Sequence, residues 1–160
     1  MRKYLLHVLI ISFVFLLAPT AQVASYAGEI ETWKEEVRMN PDDAYAHFGL
    51  GYAYVISGKW KEAIKSYKQA IRINPDYAEA HYYLGVTFGN SGKYQEAIEP
   101  LKQATRLIPN YVDAQFMLGC AYVAIKDRDS ALEQYRILKR LNSDEKANFL
   151  FNGINNYSQR

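Results

Sequence analysis

Apolar residues recur at three- and four-residue spacing from Ala44 to Ser57 and again from Trp60 to Ile73, which predicts two amphipathic helices in succession. Gly58 stands between them, free to take the left-handed conformation that closes a helix. Asn74-Pro75 stops the second, because proline lacks an amide proton and restricts the residue before it. The pattern returns 34 residues later: Ala78–Tyr111 repeats half the residues of Ala44–Tyr77, among them Leu84-Gly85, Ser91-Gly92-Lys93, Ala97-Ile98 and Pro109. A fixed period of this length marks a stacked array of helix pairs. Gly51 and Ala63 are expected where the two helices of a pair approach closely, with Tyr54 and Tyr67 beside them.

A third copy, Val112 to Glu145, keeps Leu118-Gly119, Tyr122, Ala131 and Tyr135 but carries Lys126 in the place of the turn glycine and Ser143 in that of the proline. Residues 28–43 read as the second helix of a pair whose first helix is missing, with Trp33 at the position of Tyr67 and Glu36 at that of Ala70. Asp144 to Asn156 reads as a closing helix, with Asp144 as its N-cap. Pro100 falls inside the helix expected from Tyr94 to Leu107, where it predicts a kink.

His47, Leu50-Gly51, Tyr54, Ala63, Tyr67 and Pro75 fall at the spacing of the tetratricopeptide repeat pattern, with His in place of the usual Trp; His81, Leu84-Gly85, Phe88, Ala97, Leu101 and Pro109 do so again. The chain thus resembles that family. The resemblance implies an all-α solenoid: a preceding half-repeat helix over 28–43, three helix hairpins over 44–77, 78–111 and 112–145, and a C-terminal capping helix with its tail over 146–160.

Ahead of the array, Met1-Arg2-Lys3 is basic, Leu5 to Ala18 is apolar, and Pro19 and Ser25-Tyr26-Ala27 follow, as in a secretory signal peptide cut between Ala27 and Gly28. The expectation is an exported, periplasmic or secreted protein. An uncleaved anchor over residues 5–18 is the alternative, although a span needs about 20 apolar residues. Loss of residues 1–27 takes Arg2 and Lys3 from the nineteen basic residues and leaves seventeen of each sign. No nucleic-acid partner is predicted, because basic residues such as Lys61, Lys65, Lys68 and Arg72 are interleaved with acids as on a solvated helix face.

Catalytic chemistry is sparse. His47 and His81 share one repeat position and read as packing residues, with no further ligand at metal spacing beside them. Phosphate loops, nucleophile elbows and Cys-His pairs are missing. Neither an enzyme nor a cofactor or metal site is expected. Cys120, the single cysteine, reads as inner-face filler or as an intermolecular disulfide partner.

The family resemblance implies that the first helices line a concave groove. On that face lie Tyr45, Phe48, Tyr52, Tyr82, Tyr83, Val86, Asn90, Phe116, Met117 and Cys120, a surface aromatic and apolar rather than charged, on which the packing pattern does not demand Tyr52, Tyr82, Tyr83 and Phe116. They are the candidate contacts for a peptide or partner protein. The same surface would serve a homo-oligomer, or be covered by the chain's own termini. The Lys, Asn and Arg clamp with which one family branch grips carboxylate tails is absent, since Phe48, Tyr52, Tyr83, Asp113 and Met117 hold its positions.

Overall fold

The computed structural model describes residues 28–156; the targeting segment expected over 1–27 lies outside the described residues. Eight helices follow one another: α1 over residues 28–39, α2 Ala44–Ile56, α3 Trp60–Ile73, α4 Ala78–Asn90, α5 Tyr94–Leu107, α6 Val112–Ala124, α7 Arg128–Arg140 and α8 Asp144–Asn156. None of the described helices is long and apolar enough to cross a membrane.

Turn chemistry sets the pairing. Gly58 and Gly92 take φ of +70° and +76°, and Lys126 and Asn142 adopt the same left-handed conformation at +64° and +54°. In all four turns the residue after the left-handed one donates its amide to a carbonyl five residues back: Lys59 to Tyr54, Lys93 to Phe88, Asp127 to Tyr122 and Ser143 to Leu138, at 2.8 to 3.0 Å. This bond closes the helix by satisfying one of its orphan carbonyls. The connection into α8 therefore copies the turn used within a pair, and is one residue shorter than those into α4 and α6. Its N-cap is Ser143, whose carbonyl takes the Ala147 amide; Asp144 is the first helical residue, and its carboxylate receives Lys139.

Small residues admit the neighbouring side chains. A Cβ at Gly51 would stand 2.7 Å from the Tyr67 ring, so the missing side chain at Gly51 leaves room for Tyr67. At Gly85 the occupant is Leu101, with the Ala97 carbonyl close behind, and at Gly119 it is Leu150 of α8. α5 runs unbroken through Pro100. α1 covers the first pair through Ile30, Trp33 and Val37 against Leu50 and Ala53. The remaining core runs as one cluster from Ala63 to Ile154.

The first helices of successive pairs touch, α2 with α4 and α4 with α6, whereas among the described residues the second helices α3, α5 and α7 do not approach one another. Crowding on one side and splaying on the other curves the array and puts α2, α4, α6 and α8 on its inner face.

Candidate functional site on the inner face

Each pair meets the next through one side chain of its second helix and one of the following first helix. Trp33 lies over Gly49, where a Cβ would come within 2.6 Å of the indole. One repeat on, Tyr67 stacks on Tyr83 with ring centroids 6.1 Å apart. At the third junction the corresponding residues are Leu101 and Met117. They are smaller than two tyrosines, and a cavity of about 350 Å³ opens between α4, α5 and α6, lined by both of them and by Gly85, Gly89, Asn90, Tyr94, Ala97, Cys120 and Ala121. A second cavity, about 270 Å³, continues from it past Tyr94 and Cys120 to Val123, Phe149 and Gly153. Both belong to one groove, because Tyr94 and Cys120 line each. Burial pushes the Cys120 thiol up to about 11, which keeps it protonated and a poor nucleophile at neutral pH.

Towards the start of the array the groove passes into an aromatic ladder. Phe48 meets Tyr67, Tyr77 and Tyr83 at centroid distances of 5.7, 5.1 and 5.4 Å. Tyr83 also takes the edges of Tyr52 and Tyr82, and Tyr82 meets Tyr111 at 5.0 Å. Tyr77 and Tyr111 hold the same repeat position and were not anticipated on this face; the signal was the tyrosine that ends each copy at Asp76-Tyr77 and Asn110-Tyr111. Burial first, then nearby Tyr82 and Glu79, push Tyr111 up to about 12. The Tyr67 hydroxyl is buried with no hydrogen-bond partner among the described residues.

The candidate residues divide accordingly. Asn90, Met117 and Cys120 come together at the larger cavity. Tyr45 and Tyr52 are exposed, at 61% and 44%. Phe48, Tyr82, Tyr83 and Phe116 are half-buried and pack against the core, so the expectation that the packing pattern leaves Tyr82, Tyr83 and Phe116 spare is corrected: Tyr83 fills the junction between first and second pairs, and Phe116 meets Phe149 at 5.7 Å. Val86, half-buried, holds in the second copy the place of Cys120. Tyr94 and Phe149 complete the groove from outside the residues anticipated.

His47 and His81 do more than pack. Nε2 of each donates to the carbonyl of the proline six residues earlier, Pro41 at 3.0 Å and Pro75 at 2.9 Å, which fixes the proton on that nitrogen. In the third copy Gln115 makes the same bond to Pro109 at 3.1 Å. This position ties the inter-pair loop to the first helix.

The described inner face offers shape and apolar area with few charges, which suits recognition of another chain. Sequence models described as TPR repeat and tetratricopeptide repeat match residues 51–92, 78–111 and 113–144. No curated protein sequence matches the chain. Among solved structures, a crystal structure of MamA protein is 28% identical, covers 76% of this chain and 67% of its own, and has a TM-score of 0.69. Another MamA crystal structure is 23% identical over 88% of this chain and 93% of its own, at 0.68. The first TPR of Spaghetti (RPAP3), bound to the HSP90 peptide SRMEEVD, is 21% identical over 74% and 94%, at 0.67. With the helix pairs standing where the family's own sequence models find their repeats, this chain belongs to the tetratricopeptide repeat family.

Proposed function

We propose that this protein–protein interaction module holds a peptide or a segment of a partner protein in its inner groove, without catalysis, as an adaptor or assembly factor outside the cytoplasm. The observation that carries the reading is the open cavity at the Leu101–Met117 junction, where the preceding junction is filled by Tyr67 and Tyr83. A side chain of about aromatic size from another chain suits that space. The SRMEEVD peptide held by the RPAP3 repeat is acidic, and the groove here lacks the cations to hold such a tail, so an apolar anchor is the better fit.

Gly89 supplies the test, because a Cβ there meets nothing within 4 Å and a larger side chain would enter the cavity without disturbing a neighbour. Peptides selected from a randomised phage library on the full chain are expected to carry spaced apolar anchors and to lose binding to Gly89→Leu. That variant is expected to melt no lower than the parent, since Gly89 lies in the last turn of α4 outside the left-handed region, where replacing glycine gains about 0.4–1 kcal/mol by restricting the unfolded chain. Selected peptides that bind Gly89→Leu unchanged would move the site elsewhere. The exposed Phe149 and Phe151, at 67% and 39%, favour self-association as a second reading, and light scattering on the purified chain separates the two.

A further inference from the structure

Charge is sorted between the two layers of the array. The helices α3, α5 and α7 carry ten lysines and arginines, and two of these, Lys68 and Lys102, lie over the Phe88 and Tyr122 rings of the following pair. The inner helices α2, α4 and α6 together hold two charged residues, Glu79 and Asp113, both acidic. These occupy the same repeat position. Asp113 is answered by Lys146 of the next inner helix, with Nζ 3.2 Å from its carboxylate. For Glu79 the next inner helix brings Asp113, a second acid, and no cation reaches it among the described residues. The rings of Tyr82 and Tyr111 lie beside this pair of acids, tilted at 37° with centroids 5.0 Å apart.

We propose that the segment bound in this groove carries a lysine or arginine that seats against Glu79 beside Tyr82 and Tyr111, about 15 Å along α4 from Gly89 and so several residues along an extended segment from the apolar side chain that fills the cavity at Met117. This rests on the groove reading above and adds the partner's charge to it. Lys146 shows the arrangement within the chain: a flexible cation from a neighbouring element meeting an acid at this repeat position. The sign is opposite to that needed for an acidic tail.

The randomised library selected on the full chain reads this out as composition. Clones lost on Gly89→Leu are expected to be enriched in Lys or Arg several residues away from an apolar anchor, and to bind Glu79→Lys about tenfold more weakly, since an interfacial charge pair becomes a like-charge contact. Exchanging the clone's Lys or Arg for Glu is expected to restore binding to Glu79→Lys. That reciprocal rescue excludes a folding defect, as does an unchanged circular dichroism spectrum. Groove-dependent clones with no basic enrichment, or indifferent to Glu79→Lys, would overturn the charge assignment and leave the groove standing. An absence of any clone sensitive to Gly89→Leu would overturn both.

Discussion

Lys126 places a side chain with a Cβ at φ +64°, where the two earlier repeats use glycine. The left-handed conformation costs an L-residue roughly 1–2 kcal/mol, and the turn adopts it regardless because the hydrogen bond from the Asp127 amide to the Tyr122 carbonyl and the burial of both flanking helices demand it. Lys126→Gly is therefore expected to raise stability by about 1 kcal/mol, read as a higher thermal midpoint. Asn142→Gly should gain less, as Asn tolerates this region better. The turn itself was legible in the sequence at Gly58 and Gly92. At Lys126 the letters showed only that the glycine was missing, because register and not residue type dictates the backbone there.

Helix pairs and their order follow from periodicity, and the bond that ties each pair to the loop before it does not. A main-chain carbonyl has no letter of its own, so His47 and His81 read as packing until Pro41 and Pro75 appear as their acceptors. The column His47, His81, Gln115 did hold the clue, since histidine and glutamine share a side-chain N–H donor and little else. His81→Gln is expected to keep the stability of the parent, and His81→Ala to lose about 1 kcal/mol, in urea denaturation followed by circular dichroism. The cavity was hidden for a different reason. It arises from two modest substitutions on different helices, Leu101 for Tyr67 and Met117 for Tyr83, and their sum matters only once the helices are placed together.

At the scale of the whole molecule, each pair among the described residues contacts only its neighbours, so stability is shared along the array. Ala63 is completely buried in the first pair. Ala63→Leu is expected to cost about 1–3 kcal/mol and to shift one unfolding transition for all helices, monitored by circular dichroism. The first end of the stack carries acids where the internal helices carry alanines: Glu29 and Glu36 stand at the positions of Ala63 and Ala70. The uniform tie between loop and helix also bears on how such a chain changes over generations. Residues 78–111 begin after one tyrosine and end on another, and both of their borders present the same proline carbonyl to the same donor column. A slipped recombination that copied this stretch in tandem would keep that loop tie at the new border and set Leu101 of one copy against Tyr83 of the next. It would lengthen the groove by one rung with a single new side-chain seam, so the reach of the binding surface is a trait that gene duplication can adjust one repeat at a time.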